Sequence, residues 1–206
     1  METIKHHGEN PDKLNTILVA AQKRFGLYGL TKTTMREIAS DLNMSKGSLY
    51  YYFPDKEHLY KAVVEKEQNE LIQEMQVKLG KMNEPDTMLR EYVNIRLLFF
   101  RKLLNLSRFR FEDMMNLKPL MGNVWKSFRE REAKFIAGIF SEGVEKNIYG
   151  IENPDEAAEL FLDLLKGLRD MVVRRKEFFY LEQDEYNQLI KKTKTFTEIF
   201  IKGIKK

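Results

Sequence analysis

The chain has 206 residues, 43% of them hydrophobic, which is enough for one large domain or for a small domain joined to a larger one. It contains no cysteine, so disulfides, thiolate metal sites and cysteine nucleophiles are excluded. The formal net charge is +4, but residues 1–60 hold eight lysines and arginines against seven acidic residues. Bulk charge alone therefore does not predict a nucleic-acid partner.

Neither secretion nor membrane insertion is indicated by the sequence. The first residues, METIKHHGENPDK, are polar and lack the apolar stretch of a signal peptide. No run of about 18 apolar residues is present that would predict a spanning helix. We therefore expect a cytoplasmic protein.

Helix start signals recur along the chain. A proline fits the first turn of a helix because its missing N–H would be unpaired there, and aspartates often follow these prolines. Thr34 with Glu37 predicts a capping box, and Ser45 predicts a further helix start. No segment alternates as a strand does, so we predict an all-α fold. The five prolines at which we predict helix starts are Pro11, Pro54, Pro85, Pro119 and Pro154.

Apolar spacing predicts short helices first and longer ones later. One helix is expected to end at Gly26 and Gly29, a second covers 34–42 and a third 45–53. A helix of about 37 Å follows from residue 56 to 80, with apolar ends and a polar middle, EKEQNE. We predict an N-terminal domain of residues 1–55 and a larger helical domain of 56–206 that begins with this connector.

The C-terminal half is more apolar than a single chain can easily cover. Residues 157–173 are apolar nearly all round, and the last helix has its own apolar stripe. Packing these two helices side by side leaves an exposed apolar patch unless a second subunit covers it. We predict a homodimer through helices near 154–176 and 185–204.

The segment TTMREIASDLNMSKGSLYYYF (33–53) has helix-turn-helix spacing. Asn43 can adopt the left-handed conformation in the turn, and Leu49 and Phe53, four residues apart, are expected to face inward. The three consecutive tyrosines then point in different directions, and at least some must be exposed. We expect Tyr50 to be the most buried of them; the alternative for the run is a surface cluster or a protein interface.

The longer stretch GLTKTTMREIASDLNMSKGSLYYYFPDKEHL (29–59) resembles the N-terminal signature of the TetR family of bacterial transcriptional regulators. Asn43 stands where the family more often has glycine, and asparagine tolerates the same backbone. The resemblance implies a helix-turn-helix DNA-binding domain, the connector helix, and a C-terminal helical domain for ligand binding and dimerisation.

The resemblance also implies which residues contact double-stranded DNA. Arg36 can reach a guanine edge or a phosphate, and the lysine and serine at the start of the second short helix enter the major groove. A tyrosine hydroxyl can donate to a phosphate without adding charge, which suits a unit of low net charge. The implied DNA-binding residues are Thr34, Arg36, Ser45, Lys46, Gly47, Ser48, Tyr50, Tyr51, Tyr52 and Lys56.

A small-molecule effector is implied for the larger domain. Aromatic residues at helical spacing are more often packing than pocket, but related regulators bind effectors between these helices. Arg96 is the polar exception: it can hold a ligand carboxylate, or form an ion pair with Glu91, Glu112 or Glu132. The pocket candidates are Arg96, Phe99, Phe100, Trp125, Phe128, Phe161 and Leu165.

These observations predict a repressor that binds a palindromic operator as a dimer and is released by a small, largely apolar effector. An activator or a ligand-independent regulator of the same fold is the first alternative. The second is a helical carrier or enzyme that does not bind DNA. The sequence shows no catalytic constellation, metal site or cofactor motif, and its three histidines have no ligand geometry around them.

Overall fold

The computed structural model describes residues 11–106, 111–173 and 181–206, with side chains for 11–102, 116–172 and 181–206. This part of the chain contains helices and no β-strand, as the sequence predicts. None of its helices has the length and apolar content needed to cross a bilayer. The helices are α1 (Pro11–Lys32), α2 (Met35–Asp41), α3 (Lys46–Tyr52), α4 (Lys56–Leu79), α5 (Pro85–Leu106), α6 (Phe111–Glu145), α7 (Pro154–Val173) and α8 (Gln183–Ile204).

A first hydrophobic core joins α1, α2, α3 and the start of α4. Phe25, Ile38 and Leu49 are buried at its centre. Helix α1 runs through Gly26 but is interrupted at Gly29, one of the two predicted end points. Gly29 has non-helical backbone angles, with a φ of 78° that favours glycine, and a short helical segment continues beyond it to Lys32.

Helix α6 also packs against this first core. One predicted helix start, at Pro119, is wrong. Pro119 lies inside α6 and does not begin it. A proline within a helix removes one backbone hydrogen bond and costs about 3 kcal/mol, so packing must compensate. Here Leu117, Met121 and Val124, on both sides of the proline, are buried against the N-terminal helices.

A second, larger core lies between the end of α4 and helices α5 to α8. Its centre is aromatic: the ring of Phe161 lies 6.0 Å from that of Phe140 and 4.9 Å from that of Phe200. A Cβ added at Gly143 would lie 2.0 Å from the ring of Tyr149, which is fully buried. Close packing against this ring therefore requires a glycine at position 143.

Helix α4 belongs to both cores. Leu59 and Val63 lie in the first core, and Leu71 lies in the second. Between them Glu67 and Gln68, which belong to the polar middle of this helix, are buried. The polar side chains are buried because α1 packs over them.

Glu67 links α4 to α1 by a hydrogen bond that crosses the first core. The side-chain amide of Gln22 donates to Glu67 Oε1 at 2.7 Å. Burial raises the pKa of Glu67, although this hydrogen bond opposes the shift. The neighbouring Gln68 Oε1 is buried and accepts no hydrogen bond from the described residues.

Candidate nucleic-acid interface and ligand cavity

Local capping fixes the two short helices. The hydroxyl of Thr34 accepts from the backbone N–H of Glu37 at 3.3 Å, and the carboxylate of Glu37 accepts from the N–H of Thr34 at 2.9 Å. At the start of α3 the hydroxyl of Ser45 accepts from the N–H of Ser48 at 3.0 Å. The predicted capping box and the predicted cap at Ser45 are both confirmed.

The turn between α2 and α3 has the predicted backbone. Asn43 has a φ of 50°, in the left-handed region that asparagine tolerates. The N–H of Met44 donates to the carbonyl of Ala39 at 3.0 Å, which closes the turn. Ala39 is buried, so its small side chain lets the two helices pack closely.

Some side chains of α3 face the first core and others face the solvent. Leu49 and Phe53 are buried, as predicted. Tyr51 is 71% exposed and Tyr50 is 41% exposed, whereas Tyr52 is half-buried against the first core. The prediction that Tyr50 is the most buried is wrong, because Tyr52, three residues after Leu49, shares its helix face and Tyr50 does not.

Acidic residues beside the short helices are neutralised locally. Arg24 of α1 donates to both oxygens of Asp41 at 2.6 and 3.0 Å, and it lies 3.3 Å from Glu37. The hydrogen bond from Arg24 lowers the pKa of Asp41. Among the described residues, neither Arg36 nor Lys46 has a carboxylate partner, so both exposed cations remain available to an external anion.

The start of α4 lies next to this surface. Asp55 caps the helix by accepting from the N–H of His58 at 2.7 Å, and the His58 ring nitrogen Nδ1 lies 2.7 Å from the same oxygen. Partial burial opposes ionisation of Asp55, but the hydrogen bonds from His58 lower its pKa overall. Lys56, the first residue of α4, forms no ion pair with the described residues.

We call the surface formed by Thr34, Arg36, α3 and Lys56 the reading face. All ten predicted DNA-binding residues lie on these elements or at their caps. The ring of Tyr50 lies 5.3 Å from the ammonium of Lys46, which orients that cation on the exposed side of α3. The hydroxyls of Ser45 and Ser48 lie 2.7 Å apart.

A cavity of about 100 Å³ lies in the second core. All five helices from α4 to α8 contribute to it, with a mainly apolar wall and four polar side chains. Its lining residues are Leu71, Val93, Arg96, Leu97, Phe99, Phe100, Phe128, Glu132, Leu165, Arg169, Leu189 and Thr193.

Arg96 forms an ion pair with Glu132, one of the alternatives that the sequence left open. The guanidinium donates from Nε and Nη2 to the two oxygens of Glu132 at 2.7 and 3.4 Å. The hydroxyl of Tyr92 donates to the same carboxylate at 2.7 Å. Burial, and then the charge of Glu132, raise the pKa of Tyr92 well above its usual range, so it remains a hydrogen-bond donor. The side chain of Glu112 lies outside those described.

The other pocket candidates divide between cavity and core. Phe99, Phe100, Phe128 and Leu165 line the cavity with Arg96. Phe161 does not line it, because this ring is completely buried among other rings of the second core.

Trp125 does not line the cavity either. In contrast, Arg169 does line it, although the sequence analysis did not suggest this residue. Trp125 lies on α6 with 36% of its surface exposed. Arg169 follows the candidate Leu165 by one helical turn, so that spacing was the available signal for it.

Comparisons with known proteins agree with the geometry of the short helices. The family described as bacterial regulatory proteins, tetR family, matches residues 17–63. A transcriptional regulator of known structure from Cytophaga hutchinsonii is 42% identical, with a TM-score of 0.87 over 94% of this chain and 99% of that one. The uncharacterized HTH-type transcriptional regulator YhgD from Bacillus subtilis is 26% identical over 76% of this chain and 82% of its own length. The HTH-type transcriptional regulator RutR from Escherichia coli is 30% identical over 64% of this chain and 63% of its own length.

Proposed function

Because this chain belongs to the tetR family of bacterial regulatory proteins and is a DNA-binding transcription regulator, we propose that it is a dimeric repressor that a small effector releases from a palindromic operator. The observation that carries the proposal is the reading face, where exposed tyrosines and cations with no carboxylate partner in the described part of the chain lie on and beside a capped recognition helix. Its relatives are regulators and not enzymes, so no reaction is assigned to the cavity.

On the reading face each group has a distinct role in the proposal. Lys46 and Ser48 contact base edges or phosphates, and Gly47 lets the backbone approach the DNA. Tyr51, the most exposed phenol, donates to a phosphate. Lys56 binds a phosphate beside the start of α4. Tyr52 is half-buried, so we propose that it mainly supports the exposed residues. The proposed contact surface is completed by Thr34, Arg36, Ser45, Tyr50 and Tyr52.

The proposed dimer interface is supported first by α7. Leu160, Leu164 and Met171 are exposed and recur, with Gly167, on one face of the helix. A Cβ added at Gly167 would meet nothing within 4 Å, so packing inside the subunit does not require this glycine. A second α7 packed closely against this face would account for both the exposed apolar residues and the glycine.

Helix α8 offers a similar surface. Ile199 is exposed, and Gly203, one turn later, has open space where a side chain would be. Together with α7 it gives an apolar surface on two helices, as a symmetric four-helix interface needs. Residues 174–176 of the predicted interface lie outside the described residues.

Helix α4 is the proposed connection between effector and DNA. Its first half packs in the core that holds the reading face, and Leu71 in its second half lines the cavity. We propose residues 1–55 as the DNA-binding domain and 56–206 as the effector and dimerisation domain. An effector that prefers one position of α4 would change the separation of the two recognition helices, which must lie about 34 Å apart to enter adjacent major grooves.

Operator recognition can be tested without knowing the regulated gene. Full-length protein is used to select duplexes from a random-sequence pool, and the selected sequences are read. The proposal predicts a palindrome with half-sites about one helical turn apart. An asymmetric selected site, or no enrichment over the starting pool, would contradict it.

Dimerisation can be tested with a pair of exposed leucines. Leu164→Glu places a charge in the proposed interface, and Leu98→Glu places one at a leucine of α5 that is more exposed but lies outside it. Sedimentation of the first variant should show monomers at concentrations where the wild type and the second variant are dimers. Equal sedimentation of all three proteins would exclude this interface.

A further inference from the structure

We propose that the cavity takes a small anion with an apolar body, and that Arg169 binds its carboxylate or a group of equivalent charge. This inference rests on the proposed function, because it assigns a chemical class to the effector. It is carried by the charges of the cavity wall, by the contacts of its two arginines and by the size of the cavity.

The cavity wall has one cation more than it has carboxylates. Arg96, Arg169 and Glu132 are its charged lining residues. Arg96 is committed to Glu132 through two hydrogen bonds, and Tyr92 satisfies the same carboxylate. Arg96 is thus held by two different oxygens of one carboxylate, which fixes its guanidinium against Glu132.

Arg169 is less completely satisfied than Arg96. Its Nε and Nη2 both approach a single oxygen of the neighbouring Asp170, at 3.1 and 2.9 Å. Asp170 does not line the cavity, and of the described residues none accepts from Nη1 of Arg169. Burial, and then the like charge of Arg96, lower the pKa of Arg169. An anion in the cavity would offset both of these effects.

The aromatic wall does not favour a cationic ligand. Three phenylalanines line the cavity, and such rings can surround a quaternary ammonium group. However, the guanidinium of Arg169 already lies over the ring of Phe100, 5.5 Å from its centroid. The one lining carboxylate, Glu132, is neutralised by Arg96. A cation would therefore meet the guanidinium of Arg169 on the cavity wall and no lining carboxylate that is still available.

Cavity size and the remaining polar group limit the ligand further. The volume of about 100 Å³ is somewhat smaller than the roughly 150 Å³ cavity that accepts benzene in a protein core. This size favours a short aliphatic acid. Thr193 of α8 lines the cavity beside apolar neighbours, and its hydroxyl can donate a second hydrogen bond to the anion.

Three six-carbon ligands of similar size but different charge can show whether the charge of the ligand determines its affinity. Hexanoate, hexanamide and hexylamine carry charges of about −1, 0 and +1 at neutral pH. Calorimetry with the full-length protein should show hexanoate binding at least about tenfold more tightly than hexanamide, because a charge-assisted contact is lost in the amide. Hexylamine should bind most weakly. Equal binding of the amide or the amine, or no binding of hexanoate, would overturn the inference.

Three arginine substitutions test whether the anion binds at Arg169. Arg169→Met keeps the stem of the side chain and should weaken hexanoate binding to the level of hexanamide. Arg101→Met is the matched control, because Arg101 also lies over a ring, that of Tyr186 at 5.0 Å, but does not line the cavity. Arg169→Lys keeps the charge and should retain a preference for hexanoate. Circular dichroism checks that each variant is folded, and an unchanged preference in Arg169→Met would contradict the assignment.

Release from DNA is measured separately on the selected operator duplex. If hexanamide releases the protein as well as hexanoate does, the anion assignment fails and the ligand-released repressor stands. If hexanoate binds through Arg169 without changing operator affinity, the anion site stands and the proposed release by this class of ligand fails.

Discussion

The reading face and the cavity both present cations, but in opposite electrostatic settings. On the reading face, Arg36 and Lys46 are exposed and have no carboxylate partner among the described residues. In the cavity, Arg96 is held by both oxygens of Glu132. An exposed cation is hydrated until a phosphate replaces the water, whereas a buried cation must be neutralised by the protein itself.

The difference shows that net charge is a poor guide to a DNA-binding surface. Arg24 neutralises Asp41 and Glu37 on the side of the helical unit, so these acidic residues weaken the reading face less than the near-neutral total suggests. The cations that remain are few, and the exposed phenol of Tyr51 adds a donor without charge. What matters is which charges are already paired within the chain.

The largest expected effect is on stability and comes from removing one partner of the buried ion pair between Arg96 and Glu132. Glu132→Ala leaves Arg96 without its carboxylate in the second core and should lower the free energy of unfolding by about 3 kcal/mol or more. Urea denaturation measures this change.

An exposed pair of the same geometry is the control. Arg90 and Glu198 also form two hydrogen bonds, at 2.6 and 3.0 Å, but their side chains are 41% and 45% exposed. Glu198→Ala should cost less than about 1 kcal/mol. Equal losses of unfolding free energy in Glu132→Ala and Glu198→Ala would show that burial does not determine how much each ion pair contributes.

The next effect concerns the exposed cation of α3. Lys46→Ala removes one DNA contact from each subunit and should weaken operator binding by about 30-fold or more, because a contact to DNA contributes roughly 1–3 kcal/mol. Fluorescence anisotropy with the selected duplex measures the affinity. Lys126→Ala, which changes an exposed lysine of α6 beside Glu130, should leave it unchanged. Similar losses in both variants would mean that long-range charge, and not the reading face, governs binding.

A smaller effect is expected at the buried carboxyl of Glu67. Burial raises its pKa, so the folded state binds this proton more tightly than the unfolded state, and ionisation at neutral pH costs stability. Glu67→Gln keeps the acceptor for Gln22 and should raise the free energy of unfolding at pH 7. The gain should disappear as the pH falls towards about 4, where the wild-type carboxyl is protonated.

Charged neighbours modify this pH dependence but do not reverse it. Lys66 and Lys102 lower the pKa of Glu67, and Glu70 raises it, all by less than burial does. Urea denaturation between pH 4 and pH 7 measures the difference between variant and wild type. A difference that stays constant with pH would exclude ionisation of Glu67 as its cause.

Features encoded by neighbouring residues could be predicted from the sequence. The capping box of Thr34 and Glu37, the cap at Ser45 and the left-handed turn at Asn43 all depend on contacts within four residues. Leu49 belongs with them, because helical spacing fixes its face. These features define the backbone of the reading face, whereas the choice of its DNA-binding residues followed from the resemblance to the TetR family.

Features that depend on distant packing could not be predicted in the same way. Pro119 is accommodated inside α6 because the N-terminal core covers the surrounding residues. Glu67 is buried because α1 crosses it, and the choice of Glu132 as the partner of Arg96 depends on how α5 meets α6. Phe161 and Phe128 were both pocket candidates, and the packing of the helices places the first in the core and the second on the cavity wall.

The salt dependence of operator binding tests most directly whether few cations and neutral phenols hold the DNA. Arg36, Lys46 and Lys56 give six cations in a dimer, and the logarithm of the binding constant should fall against the logarithm of salt concentration with a slope of about −5 or shallower. Titrations of the selected duplex at several salt concentrations provide this slope. A value near −5 is the predicted result, and a slope of about −8 or steeper would require more ionic contacts than the reading face contains.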